Sequence, residues 1–227
     1  MANTFGPFGL RPVSYLNGTP WNSQYDQSQT IASEYANNIF QGDAVTLDAA
    51  RDVINLFDGP ADGAFPAGGL TVGKTPILGV FFGCQYTAPS GINGVDPAGP
   101  KVFWSAGSKT VGGVRASCSL IIDPNVVYEI QADDAAVTGM ANRYGYAGVG
   151  ISDTGGIVDG TTNLGNSTMF LDSSTLAATP AAAANGQVLN LRLLGLAPGY
   201  AGNGDGLPNN IWRVIIQNNF FNARNAA

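Results

Sequence analysis

R-A-S-C-S-L-I-I-D-P-N-V-V-Y-E-I-Q-A-D, residues 115–133, is the most regular period-two stretch in the chain. It predicts two strands. In the first, Ala116, Cys118, Leu120 and Ile122 share one face while Arg115, Ser117, Ser119 and Ile121 share the other, as successive side chains on a pleated strand must. In the second, Val126, Tyr128 and Ile130 oppose Val127, Glu129 and Gln131. Asp123-Pro124-Asn125 separates them, and because proline has no ladder donor it marks a turn or kink rather than the middle of a central strand. Alternation of this kind locates a buried face and carries no chemistry of its own.

Outward from that pair the same reading recurs. Pro76 to Phe82 is a near-continuous apolar run, expected as a strand buried on both faces. Ala44 to Leu47 follows the Gly42-Asp43 turn as a short strand, and Lys101 to Ser105 is another. Gln187 to Leu194 alternates Leu189, Leu191 and Leu193 against Val188, Asn190 and Arg192, and Ile211 to Gln217 alternates Trp212, Val214 and Ile216 against Ile211, Arg213 and Ile215. Ala132 to Met140 predicts one short helix started by Asp133 or Asp134. Arg143 to Ser174, with glycines at 145, 148, 150, 155, 156, 160 and 165, has no fixed period, and Ala177 to Ala184 reads as a connector broken by Pro180. The total is roughly eight to ten short strands with turns about every ten residues, the pattern of an all-β, short-stranded antiparallel sandwich or barrel with long Gly-rich loops.

The N-terminal residues differ. Prolines at 7, 12 and 20 alternate with Phe5, Phe8, Leu10, Tyr15, Leu16 and Trp21, so the segment is apolar yet held extended at the residues before each proline. Residues 1–36 are expected as an extended arm, and residues 37–227 as a β-rich domain of one unit or two packed subdomains. Such an arm has to bury its rings, either by clamping a neighbouring chain or by plugging an open sheet edge of its own domain. The interface residues expected on it are Phe5, Phe8, Leu10, Arg11 and Trp21. Asn17-Gly18 within it is a tight-turn signal.

Composition narrows the function classes. The 227 residues suffice for a sizeable core, and only 11% of them are charged while 31 are glycine. The formal net charge is −6 with three lysines in the whole chain, so no basic footprint for phosphates exists, and neither nucleic acid nor an anionic membrane is expected as a partner. No run of 18 apolar residues occurs, and Met1-Ala2-Asn3-Thr4 lacks the basic and apolar regions of a secretion signal, so the expected setting is a cytoplasm or a larger assembly made there. Cys84 and Cys118 lie on apolar strand-like runs, where free cysteine packs as a small hydrophobe, and a bridge between them stays open.

Histidine is absent from the chain. That removes the commonest general base, the usual metal ligand and every Ser/His or Cys/His dyad. Gly148-Val149-Gly150 lacks the third glycine of a dinucleotide fingerprint, and Gly73-Lys74-Thr75 lacks the upstream glycine of a phosphate loop. A carboxylate pair is the remaining acid/base option, with Asp133-Asp134, Asp153, Asp159 and Asp172 as candidates. Asn203-Gly204-Asp205-Gly206 has oxygens for calcium but not the closing bidentate glutamate, and reads as a turn. Tyr144 and Tyr146 among the glycines could form a sugar-binding face. The expectation is a non-enzyme with no cofactor and no metal.

Several short pieces in order along the chain carry a resemblance: Met1-Ala2-Asn3 with Phe8-Gly9-Leu10-Arg11-Pro12-Val13, Gly42-Asp43-Ala44-Val45, Ile77-Leu78-Gly79-Val80, Asp123-Pro124-Asn125-Val126 to Gln131, and Leu171-Asp172-Ser173-Ser174 ahead of Leu191-Arg192-Leu193-Leu194. Together they resemble the capsid decoration, or cement, proteins of tailed bacteriophages. The resemblance implies a non-enzymatic structural virion protein bound to the outside of an icosahedral shell in many copies. Its implied partners are the major capsid protein and itself, as a homo-oligomer with a trimer favoured over a dimer, and its implied location is the virion exterior after assembly in the host cytoplasm. The other reading of the residues is a head-surface adhesin that binds host glycans.

Overall fold

The computed structural model describes residues 3–48, 53–57, 76–87, 99–133, 139–150, 160–161, 165–179 and 189–221. Within them the chain forms β1 (Arg11–Tyr15), β2 (Thr30–Ile31), β3 (Ala44–Asp48), β4 (Val53–Leu56), β5 (Gly79–Tyr86), β6 (Gly99–Lys101) and β7 (Ala116–Ile121). It continues with β8 (Val126–Gln131), β9 (Tyr146–Gly150), β10 (Gly160–Thr161), β11 (Asn166–Ser167), β12 (Phe170–Ala177), β13 (Leu191–Leu196) and β14 (Ile211–Ile216). One six-stranded sheet runs β1-β8-β14-β13-β9-β12; the other runs β2-β7-β5-β3-β4 with β6 added beside β5. The two antiparallel sheets face each other over a single core, so the architecture is a sandwich and the barrel alternative does not apply.

The stretch 115–133 is the corner between the layers. β7 belongs to one sheet and β8 to the other, so Asp123-Pro124-Asn125 is an arch that carries the chain across the sandwich rather than a hairpin turn. Asp123 Oδ1 accepts the Asn125 backbone N–H at 2.8 Å, which fixes the bend. The alternation behaves as expected over Ala116, Cys118 and Leu120, all buried against β5, with Ser117 and Ser119 on the outer side. It breaks at the arch, where Ile121 is buried and Ile122 only half-buried, because the strand leaves its sheet there. On β8 both faces are buried: Val126, Tyr128 and Ile130 point into the core, and Val127, Glu129 and Gln131 lie under other parts of the chain.

The N-terminal residues explain that second burial. β1 pairs with β8, Arg11 opposite Glu129 and Tyr15 opposite Val126, and β2 pairs with β7, Thr30 opposite Ser117. Between them the Asp26 and Leu120 backbones exchange hydrogen bonds at 2.7 and 2.8 Å, and Leu16 N–H donates to Asn125 O. Residues 11–31 are thus a strap laid along the β7–β8 arch that closes one edge of each sheet. Pro12 is tolerated because β1 is an edge strand, and Gly18, at φ +86°, makes the Asn17-Gly18 turn at its end. Main-chain pairing of its two short strands to β8 and β7 makes the segment part of both sheets.

Other differences are local. β5 starts at Gly79, three residues into the expected run, and lies between β7 and β3 as a buried central strand should. β6 is confined to Gly99–Lys101, with Trp104 bridged singly to Ile39. β9 and β12 occupy the stretch that lacked a period. The helix expected over Ala132 to Met140 falls largely on residues 134–138, outside the described residues; a 3-10 turn follows at Met140–Asn142.

Candidate interaction surface

Four chain segments meet at backbone contact where the strap begins. Gly9 N–H donates to Met169 O at 3.0 Å, Leu10 N–H to Gly42 O at 2.8 Å, and Gly42 N–H to Phe81 O at 2.9 Å. A Cβ at Gly9 would stand 2.5 Å from Ser167 Cβ and 2.6 Å from Gly42 O, and its φ of +72° is in the left-handed region, so both space and backbone require glycine. Asp43 closes the turn by accepting the Phe40 N–H on Oδ2 at 2.6 Å. The Phe8-to-Val13, Gly42-to-Val45 and Ile77-to-Val80 pieces of the resemblance come together around this crossing.

The five arm residues expected at an interface are therefore placed differently from one another. Leu10 has no exposed surface and belongs to the core, where its burial contributes about 1.5–3 kcal/mol. Phe8 is half-buried under Arg11, whose guanidinium carbon sits 4.8 Å from the ring centroid. Trp21 packs edge-on against Phe82 with centroids 5.4 Å apart, and Tyr25 stacks on the same ring at 5.6 Å. Phe5 remains 43% exposed beside Phe170. Phe8 and Leu10 also line a recess of about 230 Å³ walled by Val80, Phe81 and Phe82.

Arg11 joins a polar cluster on the outer face of the β1-β8-β14 side of its sheet. Its Nη2 donates to Glu129 Oε2 at 2.5 Å and also reaches Tyr200 Oη, while Tyr200 Oη donates to the same Glu129 oxygen at 2.9 Å. Arg213 Nε donates to Glu129 Oε1 at 3.5 Å. The carboxylate is almost fully buried and the two guanidinia are partly exposed; the ion pairs tie β1 and β14 to β8, and the Tyr200 hydroxyl holds its segment down on the sheet. Next to it, Gln131 accepts the Gly6 N–H at 2.7 Å and donates to Thr4 O at 2.9 Å, and Asn3 Nδ2 donates to Asn203 Oδ1 at 2.7 Å. These amides cover the outer face of β8 with the first residues of the chain.

The candidates for acid/base and ligand chemistry are engaged in local structure. Asp133 Oδ1 accepts the Ser173 N–H and hydroxyl, and Asp172 Oδ1 accepts those of Ser174. Asp134, Asp153 and Asp159 lie outside the described residues. Asn203 bridges Ala197 O and Ile211 O through Nδ2 and takes the Ile211 N–H on Oδ1, while Asp205 Oδ1 accepts the Met140 N–H; both side chains tie turns together. Among the described residues no three His, Cys, Asp or Glu side chains gather as a metal cage, and no helix is long and apolar enough to cross a membrane. Tyr144 is exposed at φ +68°, with Arg143 over its ring at 4.8 Å. Cys84 and Cys118 are free and buried, directly opposite one another on β5 and β7.

Two open clefts contain residues that sequence reasoning did not single out as sites. One, of about 430 Å³, is lined by Tyr15, Asn17, Thr19, Asn22, Gln24 and Asn125 at the outer end of the strap. The other, of about 480 Å³, lies between the strap turn at Leu16 and the 3-10 turn at Met140, with Arg143, Arg213, Leu194 and Leu196 in its walls. Neither carries a contiguous sequence signal, because each is assembled from segments a hundred residues or more apart. Comparison of the chain with protein-family models, with curated proteins and with solved structures returned no match.

Proposed function

We propose that this chain is a structural virion protein that binds the outer surface of a phage capsid and stabilises it, with the major capsid protein as its partner and further copies of itself alongside. The observation that carries the reading is the crossing of Phe8-Gly9-Leu10 over Gly42 and Ser167. Three of the pieces that carry the resemblance to cement proteins, Phe8 to Val13, Gly42 to Val45 and Ile77 to Val80, come together around it, as expected of residues that define a shared framework. A charge-poor sandwich in which the chain's own strap covers one edge of each sheet also suits a subunit that must sit rigidly on a lattice, because it leaves fewer edges open to strands from neighbours. The test is the copy number of this chain relative to the major shell protein in purified particles. Roughly one copy per shell subunit or per local symmetry axis is expected, and a handful per particle contradicts it.

A second reading, a head-surface adhesin for host glycans, is favoured by the strap-end cleft. Tyr15, partly buried against the core, lines it, and the Asn17, Asn22 and Gln24 amide nitrogens have no hydrogen-bond partner in the described residues, while Asp123 and Asn125 bound the other side. Planar amides beside an aromatic side chain suit sugar hydroxyls. Binding to a glycan array that is lost on Tyr15→Ala, together with low copy number, would select this reading over the first.

A further inference from the structure

The chain is acidic overall, yet four of its seven arginines stand on one side of one sheet. The strand order brings them together. Arg11, Glu129, Arg213 and Gly195 form one cross-strand row, and Ile215, Arg192 and Tyr146 form the next, all on the face turned away from the core. Arg143 reaches onto the same face from the turn before β9, its Nε donating to Leu194 O at 2.8 Å and its guanidinium held over Tyr144. The Arg143 side chain lies over Gly195, where an added Cβ would be in ordinary van der Waals contact with Nε at 3.7 Å. The carboxylates at this face among the described residues are Glu129, already shared by Arg11 and Arg213, and Asp205 at the margin. Among the described residues, four guanidinia against two carboxylates make this face positive on a chain whose formal charge is −6.

The cleft of about 480 Å³ opens on this face. Its lips are Leu16 and Met140, 49% and 41% exposed, and the Nη groups of Arg143 and Arg213 have no hydrogen-bond partner in the described residues. A guanidinium with unused donors pairs a carboxylate in two parallel hydrogen bonds, and apolar lips accept an apolar side chain. We propose that this cleft and its arginines dock an acidic protein segment, an extended stretch that presents a carboxylate to Arg143 and Arg213 and an apolar side chain between Leu16 and Met140. A nucleic acid is disfavoured as occupant because the whole-chain charge repels a polyanion at long range and the lips are apolar rather than polar. The proposal rests on the functional reading above only for the source of the segment, which is then the shell surface.

The test uses the full chain and a fluorescein-labelled short peptide of alternating glutamate and leucine, read by fluorescence anisotropy. Arg143→Glu is made on the exposed side of the turn, and Arg115→Glu supplies the same change in net charge beside the other sheet. The expected result is saturable binding that weakens with salt, falls about tenfold or more in Arg143→Glu and hardly changes in Arg115→Glu. Equal effects of the two reversals overturn the proposal, as does a duplex DNA that displaces the peptide at lower concentration. A homo-oligomer that Arg143→Glu dissolves in the ultracentrifuge also overturns it, since the face then receives a second copy. If Arg143→Glu coats particles as fully as the unchanged chain, the docking face fails while the attachment reading stands; intact peptide binding with few copies per particle gives the reverse.

Discussion

At Gly9 two costs fall on one atom. A side chain there would be forced into left-handed backbone and into Ser167 and Gly42 at once, whereas at Gly18 the backbone is also left-handed but no atom lies within 4 Å. Gly9→Ala should therefore lower stability by about 2–5 kcal/mol, and Gly18→Ala by about 1–2 kcal/mol. Denaturant unfolding of the two variants separates conformational cost from overlap, and equal losses would refute the account of the crossing. Cys84 and Cys118 give a second residue-scale expectation. Burial raises the Cys84 thiol from its ordinary value of 9.0 to about 12, with the nearby Lys101 opposing, and burial likewise raises Cys118. The folded state then holds its thiol protons in a pH range where the unfolded chain gives them up. Their contribution to stability is complete below pH 9 and is lost as pH rises toward about 12. A melting temperature that is level through neutral pH and falls above pH 9 is expected, with a shallower fall in Cys84→Ala/Cys118→Ala. Tyr128, raised by burial in the same direction, keeps the slope from vanishing.

At the scale of elements, the strap decides what truncation does. Deleting residues 1–21 removes Leu10 from the core, β1 from the edge of β8 and the amide cover over Gln131. The expected outcome is a sharply lowered melting temperature or aggregation through the bared β8 edge, measured by thermal circular dichroism and light scattering. A truncated chain that stays monomeric with its melting temperature intact would contradict the strap. Elements were unequally legible. β7, β8 and β14 announce themselves by alternation because one face of each packs on the core. β9 and β12 do not, for a reason seen only in the sheet: Gly150 lies beneath the Phe170 ring, where a Cβ would meet ring carbons at 2.3 Å, and Gly148 packs against Thr175. The bulk absent from one strand is supplied by its neighbour, so no single-strand period records it. β1 was hidden by Pro12, which an edge position accommodates.

For the whole molecule, composition sufficed for the class: abundant glycine, little charge and short apolar runs point to a turn-rich β fold. What the chain does with its surface was not legible in the same way. Arg11, Arg143, Arg192 and Arg213 are unrelated positions along the sequence and become one face only through the order β1-β8-β14-β13-β9. The fate of the arm was equally hidden, because aromatic residues among prolines look the same whether they cover a neighbour or their own domain. Contact with β8 and β7 is what distinguishes the two.

The strap also imposes a schedule on biosynthesis. Arg11 lies 118 positions before Glu129, and Thr30 pairs with Ser117, so when β1 leaves the ribosome its β8 partner is still more than a hundred residues from synthesis. Local hairpins such as β3–β4 can form during translation, but the N-terminal segment must wait as an extended, apolar, proline-held strand. Its prolines lack ladder donors, so the same residues that fit an edge strand in the fold also limit strand pairing by the segment while it waits.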